Sequence, residues 1–214
     1  LKAGANCVTM GNHTWGKKEI FKFIDDPRII RPINYPKSVC GKGYSIYKIG
    51  DAKIAVINAM GRAEINVQTE NPFLAVKEVI DKIKSKTQMI FLDFHAEATA
   101  EKKAMGYFLD GKVTAVFGTH THVQTADEQI INNMGYITDA GFCGTKESVI
   151  GMEYETSLHR FTTVVPERYD VADGNAVQVN AVEVEINPTS GHTVAIRRIF
   201  CYVDKEKKEA ENEK

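Results

Sequence analysis

Four of the six histidines lie in short polar turns, and each turn follows an apolar run. The turns and their histidines are GNHTW at 11–15 with His13, DFHAEAT at 93–99 with His95, and GTHTH at 118–122 with His120 and His122. The first turn also contains Asn12. Neutral imidazole nitrogens and amide oxygens are ligands for divalent ions such as Mn, Fe, Co and Zn. These residue types therefore indicate a metal centre, if the fold brings the three turns together.

The spacing of His120 and His122 supports this interpretation. In an extended segment side chains alternate between faces, so residues i and i+2 point the same way. The spacing predicts that both imidazoles face one site. A single histidine at a strand end is more often a hydrogen-bonding residue than a ligand, and we interpret His159 and His192 in that way. For the other four histidines, arrival from separate strands favours a shared metal site.

The elements around these turns predict how the turns are positioned. Residues 89–94 form an apolar strand that ends at His95, residues 99–109 fit a helix, and residues 113–117 fit a second strand. Strand, helix and strand with short connections indicate a parallel crossover. Ligands bind beyond the carboxyl ends of such strands. A further strand over 6–10, ahead of Asn12, would bring the first turn to the same edge.

The remaining elements complete an α/β pattern. The other predicted elements are a short helix over 17–25, a hairpin of strands 44–49 and 53–58, an amphipathic helix over 71–86, and hairpins over 129–138 and 176–201. The later hairpins favour a second, more antiparallel sheet. Residues 1–203 are predicted to form one domain. Residues 204–214 are charged and predict a disordered tail or a frayed helix.

Composition excludes several function classes. Hydrophobic residues make up 43% of 214 residues, enough for the core of one domain, and the formal charge of -1 gives no global field to attract a long nucleic acid. A small nucleotide remains compatible with this charge. No apolar run is long enough for a membrane span, and no signal peptide is evident. The four cysteines form no CxxC pair, which favours reduced thiols and a cytoplasmic location.

Four motifs in order resemble the calcineurin-like metallophosphoesterases, and within them the YmdB-type group. The motifs are GNHTW at 11–15, DFHAEATAEK at 93–102, GTHTHVQTAD at 118–127 and GFCGTKESVIGM at 141–152. The resemblance extends to about Cys201. It implies a four-layer αββα sandwich of two mixed sheets, hydrolysis of small phosphodiesters such as 2',3'-cyclic nucleotides, and a homo-oligomer.

The resemblance also implies residue roles. Asn12, His95 and His120 correspond to ligands of the second of two divalent ions, and His122 to a ligand of the first. His13 is similar to the histidine that protonates the leaving alkoxide. Iron or manganese is expected, with zinc or magnesium as alternatives. Two ions of this kind activate a hydroxide that attacks phosphorus in line with the leaving oxygen.

One part of the family pattern has no counterpart here. In the family an Asp from the first strand, and an acidic residue followed by Asn from the next, supply ligands to the first metal and bridge the two ions. Asp93, Glu97 and Asp127 lie near the motifs but not at those positions, and Asp139 is interpreted as a turn or hydrogen-bonding residue. Either the chain is a fragment that lacks an amino-terminal segment, which we favour, or it is a natural truncation.

Two other functions stay open at this point. The missing acidic ligands are compatible with a non-catalytic regulatory or scaffold domain that retains a partial metal site. A mononuclear amidohydrolase also uses an HxH motif, but that fold needs an eightfold strand-helix alternation, which the sequence lacks.

Overall fold

The computed structural model describes residues 1–204. The strands are β1 (Val8–Thr9), β2 (Ile29–Ile30), β3 (Tyr44–Ile49), β4 (Ala52–Met60), β5 (Met89–His95), β6 (Ala115–Thr119), β7 (Gln129–Ile131), β8 (Met134–Ile137), β9 (Gly144–Thr145), β10 (Ala176–Ile186) and β11 (Thr193–Asp204). The helices are α1 (Pro72–Ile83), α2 (Thr99–Phe108) and α3 (Tyr154–Thr163), with a 3-10 helix over Lys18–Lys22.

A six-stranded mixed sheet forms the centre of the fold, in the order β3-β4-β5-β6-β8-β7. Strands β4, β5, β6 and β8 are parallel to their neighbours in that set, while β3 and β7 pair antiparallel at the two edges. The predicted parallel crossover from β5 through α2 to β6 is therefore confirmed, as are the hairpins β3–β4 and β7–β8. The carboxyl ends of β5 and β6 meet at one edge of the sheet.

Helix α1 begins where the sequence predicts it. The Asn71 side-chain oxygen accepts hydrogen bonds from the backbone N–H groups of Phe73 and Leu74, at 2.9 and 3.3 Å, and Pro72 occupies the first helical position. The apolar side chains of α1 recur at helical spacing and are buried. They are Val76, Val79, Ile80 and Ile83.

The main core lies between the central sheet and the two helices α1 and α2. Ile90, Leu92 and Phe94 of β5 join the buried face of α1 and Met105 of α2 in one cluster. Because side chains alternate along a strand, Phe91, Asp93 and His95 occupy the opposite face of the sheet. The predicted metal-site histidine thus lies on the sheet face that the two helices do not cover.

The second sheet is smaller and antiparallel, with the order β11-β10-β9. The expectation of two mixed sheets is therefore correct for the larger sheet and wrong for this one. Its three strands follow each other through antiparallel pairing without a crossover. Hydrogen bonds connect this sheet to the segments before and after β6: the Thr193 hydroxyl donates to the Thr114 carbonyl at 2.6 Å, and the Gln124 amide donates to the Ala181 carbonyl at 3.0 Å. The four-layer order stays a prediction.

The first thirty residues are less regular than predicted. The strand expected over 6–10 is reduced to β1, which pairs in parallel with β2 over two residues. The helix expected over 17–25 is a 3-10 helix. At the other end, Asp204 closes β11, and residues 205–214 of the predicted tail lie outside the described residues. Within residues 1–204 no helix is both long and apolar enough to cross a bilayer.

Candidate metal centre

The three histidine-bearing turns meet at one edge of the central sheet. His95 ends β5 and pairs in register with Thr119, which ends β6. The first turn arrives from β1, and its entry is held by Asn58, whose side-chain amide donates to the Met10 carbonyl at 2.5 Å. The convergence predicted from the order of strands and turns is therefore observed.

Asn12, His95 and His120 form one compact cluster. His95 Nε2 lies 3.0 Å from Asn12 Oδ1 and 3.0 Å from His120 Nδ1. The rings of His95 and His120 meet edge to face, with 4.7 Å between their centroids. Three of the four predicted metal ligands are thus in direct contact.

The surrounding groups indicate which nitrogen of each imidazole carries the proton. His95 Nδ1 lies 3.1 Å from the Thr119 hydroxyl oxygen, and the Thr119 hydroxyl donates to Asp93 at 2.7 Å. The Thr119 proton is therefore engaged, so His95 Nδ1–H is the donor and Nε2 has a free lone pair. His120 Nε2 lies 3.1 Å from a Glu97 oxygen, which assigns the His120 proton to Nε2 and leaves Nδ1 as an acceptor.

These assignments leave the lone pair of His95 Nε2 facing two other acceptors, Asn12 Oδ1 and His120 Nδ1. Asn12 Oδ1, His95 Nε2 and His120 Nδ1 are all acceptors, and no proton lies between them. A cation satisfies such an arrangement, and two ligand atoms at right angles about 2.1 Å from an ion lie about 3.0 Å apart. Both distances within the cluster are 3.0 Å. The donor set and its spacing therefore fit a divalent metal ion.

Both cluster histidines are held neutral, which is the form that binds metal. Burial, and then the neighbouring His120, lower the pKa of His95 to about 3. Burial also lowers the pKa of His120, against the opposing effect of the Glu97 carboxylate.

Gly11 allows the turn to approach the cluster. A Cβ atom at this position would lie 2.3 Å from both Cε1 and Nε2 of His95. Only glycine therefore lets the backbone before Asn12 pass directly beside the imidazole.

His122 stands beside this cluster with partners of its own. Its Nδ1–H donates to the Ile150 carbonyl at 2.9 Å, and its ring stacks on Phe142 with 5.7 Å between centroids. These contacts fix the ring and leave Nε2 available to bind a metal ion. His122 is near enough to contribute to the lowered pKa values of His95 and His120.

Strand alternation, which was predicted to bring His120 and His122 to one side of the backbone, does not operate here. The segment after Thr119 is not extended, since His120 has φ 107° and His122 has φ 61°. Both residues lie in the left-handed region, which costs about 1–2 kcal/mol per residue for L-amino acids. The two imidazoles are therefore positioned by an irregular turn rather than by strand alternation.

His13 lies outside the cluster and is exposed. It borders a groove of about 510 Å³. Met10, Ile20 and Phe23 provide apolar lining to this groove. The side chain of His13, next in the chain to Asn12, is thus accessible to a molecule from solvent.

Sequence reasoning missed several residues that support the ligands. They are Gly11, Thr119, Glu97 as a partner of His120, and Phe142. A hydroxyl residue directly before the HxH motif was a usable signal for Thr119. Asp139 was correctly predicted to be a hydrogen-bonding residue. His159 pairs with Glu167 at 2.8 Å, as expected for a residue outside the site.

Acidic and histidine side chains alone do not form a metal cluster. Within residues 1–204, no group of three or more His, Cys, Asp and Glu side chains could hold an ion. Glu97 contacts Nε2 of His120, whereas the cluster is formed through Nδ1 of that ring. Glu97 therefore orients the His120 ring and does not itself join the cluster. The third member of the cluster is instead the amide of Asn12. All four cysteines are free and lie outside the cluster.

Comparisons with known proteins agree with the architecture and the motifs. The family described as YmdB-like protein matches residues 1–199. The chain is 45% identical over 206 residues to the 2',3'-cyclic-nucleotide 2'-phosphodiesterase of Bacillus subtilis (strain 168), covering 95% of this chain and 77% of that protein. An enzyme family of this type was predicted from the motifs, and that prediction is confirmed.

Solved structures give the same result for the mixed α/β fold. A crystal structure of a novel phosphatase from Mycoplasma pneumoniae is similar at a TM-score of 0.87 and 35% identity, covering 98% of this chain and 76% of that chain. A hypothetical protein from Thermus thermophilus is similar at a TM-score of 0.87 and 35% identity, covering 94% of this chain and 78% of that chain. With its four motifs in order and residues 1–199 matched, the chain belongs to the YmdB-like protein family.

Proposed function

We propose that this chain is a metal-dependent phosphodiesterase that hydrolyses small phosphodiesters such as 2',3'-cyclic nucleotides. The observation that carries the proposal is the position of His95 Nε2, which lies 3.0 Å from Asn12 Oδ1 and 3.0 Å from His120 Nδ1. The name of the Bacillus subtilis relative supports the substrate class.

The residues take separate roles in this reaction. Asn12, His95 and His120 would hold one divalent ion, and His122 would contribute Nε2 to a second, with iron or manganese proposed as the native metal. When bound, the ions would neutralise phosphate oxygens and make water a nucleophile near neutral pH. His13, exposed beside Asn12, would donate a proton to the leaving sugar oxygen.

Contacts with neighbouring residues hold the imidazoles of His95, His120 and His122 in fixed orientations. Thr119 and Glu97 fix the rings of His95 and His120, so their free nitrogens need no reorientation on binding. Phe142 covers one face of His122 and restricts its rotation. The exposed groove beside His13 leaves room for a small substrate.

The test is hydrolysis of 2',3'-cyclic AMP in added Mn²⁺, measured together with metal content. His13→Ala should lower turnover roughly 100- to 10,000-fold, the range for loss of a general acid, with metal content unchanged. His159→Ala is the matched control, because His159 pairs with Glu167 on the surface, and it should retain full turnover. Loss of metal in His13→Ala would contradict the role given to His13.

A second candidate is a non-catalytic regulatory or scaffold domain. It is favoured by one observation, that no cluster of three His, Cys, Asp or Glu side chains suited to a metal occurs in residues 1–204. Binding of at most one Mn²⁺ without any hydrolysis of 2',3'-cyclic AMP would select this candidate over the phosphodiesterase.

A further inference from the structure

A buried ion pair lies next to residues 120–122, the turn that contains His120 and His122. Lys102 of α2 reaches Asp139, with 2.7 Å between Nζ and Oδ2, and the two side chains are 2% and 1% exposed. Removing two charges from water is costly, and apolar residues of the same volume often stabilise a fold as well. Stability alone therefore does not account for the pair.

The remaining partners of Asp139 connect the pair to the histidines. The oxygen that contacts Lys102 also accepts from Thr121, through its backbone N–H at 3.1 Å and its hydroxyl at 2.6 Å. The other oxygen accepts from the Gly141 N–H at 2.8 Å. Thr121 lies between His120 and His122, so the Asp139 carboxylate is hydrogen-bonded to the central residue of the turn.

The backbone conformation of residues 120–122 is strained and needs contacts with the rest of the protein to stabilise it. His120 and His122 both have positive φ, at 107° and 61°. Such backbone conformations persist in non-glycine residues only where the surroundings over-determine them. The two hydrogen bonds from Thr121 to Asp139 are the contacts that fix the residue between them.

Lys102 is also fitted closely to the strand that leads into the turn. A Cβ atom on Gly118 would lie 3.0 Å from Lys102 Cδ and 1.7 Å from the Thr138 carbonyl oxygen. The lysine stem therefore lies close to the end of β6, where a side chain at position 118 would press against it and clash with Thr138.

We propose that Lys102 and Asp139 are positioning residues that hold residues 120–122 in their left-handed conformation and thereby aim His120 and His122. Lys102 compensates the charge of Asp139, and Asp139 anchors Thr121. The consequence for metal affinity rests on the proposed function, whereas the conformational role does not.

The principal variant is Thr121→Val, which removes the hydroxyl donor and keeps both charged partners. Lys102→Met removes the charge and keeps most of the stem, and serves as the second variant if it folds. Thr121→Ser restores the hydroxyl and is the rescue. Val79→Ala, on the buried face of α1, controls for general loss of stability because Val79 belongs to the main core cluster.

Two measurements separate this inference from the proposed function. In metal-free protein, hydrogen exchange of the backbone amide at position 121 should accelerate at least tenfold in Thr121→Val and in Lys102→Met. The imidazole nitrogen resonances of His120 and His122 should shift in both variants. With Mn²⁺, Kd should rise roughly 10- to 100-fold, as for other groups that orient metal ligands. Thr121→Ser should restore both values, and Val79→Ala should lower Tm without changing either.

The outcomes are distinct. Exchange and imidazole resonances in Thr121→Val that match the unaltered protein would overturn the positioning role, as would equal changes in Val79→Ala. If the unaltered protein binds no Mn²⁺ and hydrolyses nothing, the proposed function fails, while the metal-free exchange data still decide the role of Lys102 and Asp139.

Discussion

At the scale of single residues, the cluster depends on glycine at position 11. We expect Gly11→Ala to displace the His95 ring by about 1 Å, because its Cβ would lie 2.3 Å from two ring atoms. A misplacement of about 1 Å can cost roughly 100-fold in rate. Phosphodiesterase activity and Mn²⁺ affinity should both fall, and the two are measured on the same preparation.

The control for Gly11→Ala is Gly50→Ala in the β3–β4 turn. Gly50 has φ 59° and nothing within 4 Å of the added methyl, so the change costs about 1–2 kcal/mol of stability through backbone strain alone. Equal loss of metal affinity in the two variants would show that strain, not contact with His95, is responsible.

Thr119 gives a second prediction, since it joins His95 to Asp93. In Thr119→Val the His95 Nδ1–H loses its acceptor, and the ring is free to turn or to exchange its proton between nitrogens. Metal affinity should fall roughly 10- to 100-fold. Thr119→Ser keeps the hydroxyl and should bind Mn²⁺ as the unaltered chain does; calorimetric titration of both variants decides the matter.

The residue types of the site could be predicted from sequence, but their geometry could not. Asn12, His95 and His120 were identified from polar turns at strand ends, and the fold brings them together. The proton positions depend on Thr119 and Glu97, whose contacts arise only in three dimensions. The positive φ of His120 and His122 has no sequence signal, because both are ordinary L-residues.

At the scale of elements, α1 provides a prediction separate from the metal site. Asn71→Ala removes the oxygen that accepts from Phe73 and Leu74 and should cost about 1 kcal/mol. For a chain of this size that corresponds to a fall in Tm of roughly 2–4 °C. Asn71→Ser should recover most of it, and metal affinity should be unchanged in both. An unchanged Tm in Asn71→Ala would mean that the cap contributes nothing.

Elements with strong local signals were predicted well. The residues that cap α1 and give it its apolar periodicity lie close together in the chain. The turn residues of the β3–β4 hairpin are equally local. The strand expected over 6–10 was predicted too long because its pairing with β2 lasts only two residues. Pairing length depends on distant partners, which a local pattern does not contain.

At the scale of the whole molecule, a metal that binds the native state alone must stabilise it. Mn²⁺ at 100 times its Kd should add about 2.7 kcal/mol to the free energy of unfolding, or roughly 5–10 °C in Tm. His95→Ala should abolish this increment, because it removes the central atom of the cluster. His159→Ala should retain it. A similar increment in His95→Ala would place the stabilising ion elsewhere.

The residues of the cluster lie far apart in the sequence, so they are synthesised at different times. Asn12 and His95 are 83 residues apart, and the HxH turn follows later still. At a synthesis rate of about 5–20 residues per second, His122 leaves the ribosome roughly 5–20 s after Asn12. During that interval the emerging polypeptide has the Asn12 amide but not all of the imidazoles that contact or adjoin it in the folded protein. If the proposed ligand set is right, loading with metal would be confined to chains from which His120 has already emerged.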